Sequence, residues 1–149
     1  MAQQTQVFFH YNTHNFSLKD RNHLKDFISL LFKKEKRALD TINYIFCTDE
    51  YLLELNKHYL KHFTLTDIIT FELNAPNEPI VSDVFISIDR VKENAETFQI
   101  TFKQELHRVI FHGALHLCGY KDKTKSDQLI MRQKEDYYLN KYFVSRGTL

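Results

Sequence analysis

The sequence predicts a single α+β domain over residues 1–149, a small mixed sheet of about four strands packed with helices. Two observations predict it. The chain alternates short β-branched and aromatic runs with helix-periodic segments in the order β-α-β-α-β-β-α-α-α. Its 149 residues, 43% hydrophobic and 26% charged, suit one ordinary globular domain with a proper core.

The elements read as follows. Gln6 to Tyr11 (QVFFHY) is a strand. Asn15 to Ser17 marks a helix entry, and Leu18 to Leu39 carries Leu24, Phe27, Ile28, Leu31 and Phe32 at helical spacing. That helix ends in Lys33, Lys34, Lys36 and Arg37, which either complement the helix dipole or form a phosphate-contacting patch. Thr41 to Cys47 is a strand, after which Thr48 or Asp49 caps a helix from Glu50 to about Leu60 with Leu52, Leu55 and Tyr59 on one face. His58 and His62 lie near its end and are expected to face solvent. Thr66 to Leu73 and Ile80 to Ile88 are strands separated by Asn74 to Pro79, which holds both prolines, so an antiparallel hairpin is expected. Asp83 alternates with apolar residues and is expected at an edge. Asp89 is expected to cap a helix from Arg90 to Phe98. Thr101 begins the next, to Cys118, with Leu106, Val109, Ile110, Gly113 and Leu117 as its apolar stripe. Ser126 opens a last helix through Lys141, with Leu129, Ile130 and Tyr137 expected inward.

Composition narrows the function. A net charge of +1 gives no strong global field, so a nucleic-acid partner must be held by a local patch. Cys47 and Cys118 have neither metal-ligand spacing nor a disulfide framework and read as free thiols in a reducing compartment. The opening stretch lacks a basic region followed by an apolar run, so no signal peptide is expected. No apolar run reaches membrane-spanning length, and a cytoplasmic location without a membrane partner is expected. No dinucleotide cofactor is expected either.

The chemistry concentrates in His112 to Asp122, HGALHLCGYKD. His112 and His116 are four residues apart in a helix-periodic segment, so both imidazoles share a face. Two other pairs, His10 with His14 and His58 with His62, have the same spacing, so spacing alone decides nothing. Context distinguishes this pair. Gly119 stands where a left-handed cap would end the helix and return Asp122 toward the histidines. Two imidazoles and a carboxylate suit a divalent ion, of the zinc type, with an open coordination position. Such an ion lowers the pKa of bound water, making that water the expected nucleophile at His112, and the reaction class would be hydrolysis. The helix has a metalloprotease-like HxxxH spacing, but the position after the first histidine is Gly113 where those enzymes carry a glutamate base, and Glu105 is two turns away. Peptide hydrolysis is disfavoured. A phosphodiester asks less of a general base, and Lys121 and Lys123 beside Asp122 either neutralise phosphate or sit in a solvated loop.

HGALHLCGY resembles the H-G-x-L-H-L-x-G-Y-D-H signature of the YbeY family of endoribonucleases. LNKHYLKHFTLTDIITFEL, Leu55 to Leu73, is similar to that family's L-N followed by T-D-V-L-S-F, and SDVFISID from Ser82 resembles its G-D-I-x-I-S strand. The three blocks occur in family order. The resemblance implies an α+β fold, a zinc-type ion held by three histidines, cleavage of single-stranded RNA, processing of rRNA ends, notably of the small subunit, and ribosome quality control. His112 and His116 match the first two ligands, and the third falls on Asp122. The family's aspartate before that ligand is Lys121, its glycine before the strand aspartate is Ser82, and its arginine after the aromatic of the L-N block is Leu60. Lys57 and Lys61 are the nearby candidates for RNA contact. A different reading fits the same departures: a ribosome-associated or RNA-binding assembly factor with a structural metal and little catalysis.

Overall fold

The computed structural model describes residues 6–60 and 66–146. Strand β1 (Val7–Asn12) leads through α1 (Arg21–Lys34) to β2 (Leu39–Cys47). Helix α2 (Asp49–Leu55) runs into a π-helical turn, Asn56–Leu60. Strands β3 (Ile68–Glu72) and β4 (Ile80–Ser87) follow, then α3 (Ile88–Phe98), α4 (Phe102–Leu117) and α5 (Lys125–Arg146). The four strands form one mixed sheet in the order β1-β2-β4-β3. β1, β2 and β4 are parallel and β3 pairs antiparallel with β4, as the short prolyl connection predicts.

The main core gathers Ile42, Tyr44, Phe46, Val84 and Ile86 of the sheet with Leu24, Ile28, Leu31, Ile110, Phe111 and Ala114 of α1 and α4. Tyr44 is fully buried, and its hydroxyl donates to the Ile110 carbonyl at 3.0 Å. Left unpaired, such a hydroxyl would cost about 1–3 kcal/mol. A second, smaller cluster of Cys47, Leu52 and Ile69 packs with Leu55, Phe71 and Phe85.

Four sequence expectations need correction. The helix expected over Leu18 to Leu39 is α1 alone, because Asp20 (φ 54°) and Lys36 (φ 59°) adopt left-handed conformations that break it at both ends. Asp89 does not cap α3: the Ser87 hydroxyl accepts the Arg90 N–H at 3.2 Å, and the Asp89 carboxylate accepts the Asp49 N–H at 2.9 Å. Asp83 is not at an edge, since β4 lies between β2 and β3, and its carboxylate accepts from Asn43 Nδ2 at 3.2 Å. Leu129, Ile130 and Tyr137 do not point inward; they are 61%, 45% and 42% exposed. The buried residues of α5 include Met131, Glu135, Tyr138 and Tyr142. A charged residue and two tyrosines in that stripe shift the apparent apolar phase by a fraction of a turn. His58 faces solvent as expected, 3.4 Å from Glu54. Cys47 is buried and Cys118 partly so, both free. No helix among the described residues is long and apolar enough to cross a membrane.

Candidate functional site

Helix α4 positions the site. Its start is fixed by a reciprocal cap: Thr101 Oγ1 accepts the Gln104 N–H at 3.0 Å, and Gln104 Oε1 accepts the Thr101 N–H at 3.1 Å. Its path lies close on the sheet because residue 113 is glycine. A Cβ there would stand 3.0 Å from Ile68 Cδ1 and 3.2 Å from Val84 Cγ1. Its end is a Schellman turn, in which Gly119 (φ 107°) donates to His116 O at 3.0 Å and Tyr120 donates to Leu115 O at 3.1 Å. The turn sends the chain back along the helix, as the glycine predicts.

The returning loop is anchored from outside. The Tyr120 hydroxyl donates to Glu35 Oε1 at 2.7 Å, and the Tyr138 hydroxyl donates to the other oxygen of the same carboxylate. Gln128 Nε2 donates to the Asp122 carbonyl at 3.0 Å. Asp122 thereby comes to rest with Oδ2 3.4 Å from His112 Nε2.

The other ring nitrogen of His112 is held by a residue the sequence did not flag. His112 Nδ1 donates to Glu135 Oε2 at 2.7 Å. Glu135 is itself gripped by Arg108, whose Nη1 donates to Oε1 at 2.9 Å while Nη2 reaches Asp136 Oδ1 at 2.7 Å. Burial disfavours an imidazolium at His112, yet the Glu135 hydrogen bond and the charges of Glu135 and Asp122 outweigh it and raise the ring's pKa.

These residues line one cleft of about 620 Å³. His116 lines it as well, along with Asn56, Leu60, Asp67, Phe98, Glu105 and Arg132. Glu105 is 4% exposed, and its Oε1 has no hydrogen-bond partner among the described residues. Burial pushes its carboxyl above the ordinary range, and the Asp67 charge adds to this while Arg108 opposes it. Burial likewise raises Asp67, against the pull of His112. Arg132 is the freer of the two arginines, 55% exposed with one loose contact at 3.7 Å to Glu135.

The cleft thus brings together His112, His116 and Asp122. Lys121 and Lys123 are exposed beside Asp122 and do not line it. Lys57 pairs with Glu54 at 3.8 Å, away from the lining, and Lys61 and His62 lie outside the described residues. Arg108, Arg132, Glu135 and Asp67 were missed. Arg108 had a signal, since 108, 112 and 116 repeat at four residues on one helix face. Glu135 and Arg132 come from another helix and had none.

In kind, two imidazoles and a carboxylate fit a divalent ion. The second-nitrogen contact of His112 to a carboxylate is the arrangement that orients a ligating imidazole. As the side chains stand, no group of three His, Cys, Asp or Glu residues encloses a point at ligand distance among the described residues. In shape, the cleft pairs a carboxylate-rich floor with guanidinium groups, a combination suited to a cation and a phosphate ester together.

A family model described as Endoribonuclease YbeY matches residues 7–143. The Endoribonuclease YbeY of Flavobacterium psychrophilum is 44% identical over 95% of this chain and 99% of its own. That of Cytophaga hutchinsonii is 47% identical over 94% and 97%. The solution structure of TM1509 from Thermotoga maritima superposes with a TM-score of 0.65 at 26% identity, covering 95% of this chain and 92% of that one.

Proposed function

Because this chain belongs to the Endoribonuclease YbeY family, we propose that it is a hydrolase that cuts single-stranded RNA internally, in the cleft around His112. Its task in this reading is maturation of ribosomal RNA ends, notably of the small subunit, and ribosome quality control in the cytoplasm. The observation that carries the reading is the line Glu135–His112–Asp122, with contacts of 2.7 and 3.4 Å, at the floor of a cleft walled by two arginines.

His112, His116 and Asp122 are the residues that would hold a divalent ion of the zinc type, which when bound supplies Lewis-acid charge at the scissile phosphate. The chain's own groups do the rest. Glu135 keeps the Nδ1 proton of His112 in place, so that Nε2 faces Asp122. Arg108 locks Glu135 by two-point contact with Glu135 and Asp136, leaving that carboxylate little freedom. Arg132, with an exposed guanidinium, contacts the RNA phosphate. Phe98, exposed on the cleft wall, offers a ring to an unpaired base. Leu60 supplies apolar wall where the resemblance places an arginine, so the guanidinium charge reaches the cleft from α4 and α5 instead.

The test is cleavage of single-stranded RNA and of precursor small-subunit rRNA by zinc-loaded protein, beside His112→Ala. Internal cuts made by the wild type and lost in the variant are expected. Equal background from both, with RNA binding retained, would instead assign the chain to an assembly factor with a structural metal. Purified protein without bound divalent metal, however gently prepared, would count against both readings.

A further inference from the structure

A second feature lies where the last turn of α1 meets the outer face of α5. Lys34 Nζ donates to the Tyr137 hydroxyl at 3.1 Å and stands 5.4 Å from its ring centroid. Lys141 Nζ is 5.4 Å and Lys134 Nζ 5.9 Å from the same centroid. Three ammonium groups from two helices therefore converge on one exposed ring. Lys134 is engaged by Glu35 at 3.3 Å. Lys34 and Lys141 have no carboxylate at ion-pair distance among the described residues. Lys33 and Lys36 are exposed on the same end of α1.

Complementing the dipole of α1 explains basic residues in its last turn. It does not explain why lysines of α5 are gathered there too, since like charges held this close repel. Arg37, the remaining cation of that run, is taken up by Glu72 at 4.0 Å and by the Glu78 carbonyl at 3.2 Å. The positive potential registers on the ring: the Lys34 hydrogen bond and the Lys141 charge hold the Tyr137 hydroxyl below the ordinary phenol range.

We infer that Lys34, Tyr137 and Lys141 form a docking surface for single-stranded nucleic acid outside the cleft, a base on the Tyr137 ring and phosphates on the ammonium groups. An exposed aromatic among unpaired cations is the combination by which proteins hold single strands without reading sequence. A single strand uses both kinds of group at once, the ring for a base and the ammonium groups for its phosphates. Lys134 Nζ also lies 5.5 Å from the Tyr120 ring, and Tyr120 opens the loop in which exposed Lys121 and Lys123 flank Asp122. Lys134 thus stands between the Tyr137 ring and the loop that carries Asp122. The inference takes the polymer's identity from the endoribonuclease reading.

The test is binding of a 2′-O-methyl oligoribonucleotide, long enough to extend beyond the cleft, over a range of salt. In K34Q/K141Q, affinity should fall roughly tenfold at low salt, and the slope of log affinity against log salt should shrink by about 1.4, two phosphate contacts on a single strand. Tyr137→Ala should weaken binding roughly five- to a hundredfold and Tyr137→Phe should restore most of it. Cleavage of a dinucleotide-length substrate, which does not leave the cleft, should be unchanged in all variants. Unchanged affinity and salt slope would overturn the inference. So would lost binding to phosphatidylserine vesicles with RNA affinity intact, which would assign the patch to a lipid surface. A wild type that binds the oligonucleotide but cuts no RNA would strike the reading of the cleft and leave the docking surface standing on its own measurement.

Discussion

Glu135 Oε2 and His112 Nδ1 are 2.7 Å apart, a contact that joins α5 to α4 and orients the imidazole toward Asp122. Glu135→Gln preserves the shape but replaces the charge with a group of either hydrogen-bonding sense, so the ring loses its fixed tautomer. RNA cleavage or zinc affinity should fall about 10–100-fold, while the melting curve stays that of a folded protein. Cleavage and zinc binding both at wild-type levels would remove Glu135 from the machinery.

Arg132 is the arginine of the cleft with surface to spare. Its removal in Arg132→Ala should lower kcat/KM by about 1.5–3 kcal/mol, the worth of a hydrogen bond to a charged group, mostly through KM. Arg132→Lys should recover only part, because a point charge does not reproduce the guanidinium fork. Steady-state kinetics on an unstructured RNA reads this directly. If Arg132→Ala matched the wild type, the phosphate would have to be held elsewhere.

Glu105 carries a buried carboxyl whose folded-state pKa is raised, chiefly by burial. A raised value means the folded state binds the proton more tightly than the unfolded one. The stability it contributes is complete below the unfolded pKa and is lost as pH rises through the folded pKa. At neutral pH the wild type therefore bears the cost of that ionised group, about 1.4 kcal/mol for each unit of elevation. Glu105→Gln should melt above the wild type at neutral pH, with the gap closing as pH falls toward the ordinary carboxylate range. A gap that is constant across pH would show that ionisation of Glu105 is not its source.

Gly119 is held at φ 107°, where a side chain is strained. Gly119→Ala should destabilise the fold by about 1–3 kcal/mol, measured by denaturant or thermal unfolding. Cleavage should fall as well, since the turn sets the return of Asp122. A melting temperature equal to the wild type's would mean that the turn relaxes without cost.

Much of α4 was legible in the chain. The start at Thr101, the apolar stripe from Leu106 to Leu117 and the terminating Gly119 are all local signals, satisfied within a few residues of themselves. The β3–β4 hairpin was legible for the same reason. The phase of α5 was not. Its inward stripe includes Glu135, bonded by Arg108 and His112 of α4, and Tyr138, bonded by Glu35 at the end of α1, so hydropathy pointed to the wrong side. The ends of α1 were missed because Asp20 and Lys36 take left-handed conformations that nothing in their neighbours announces.

The sequence by itself determined the α+β class, the shared helix face of His112 and His116 and the return of the chain toward them, because helix periodicity and a glycine turn act over neighbouring residues. Only the tertiary structure decided which groups surround that face. Arg108 acquires its role from Glu135, and Glu135 from His112, a partner 23 residues away on another helix. Spacing fixes neighbours along one helix. Which side chains of two separate helices meet is set by how the core between them packs, and that packing is a property of the whole chain.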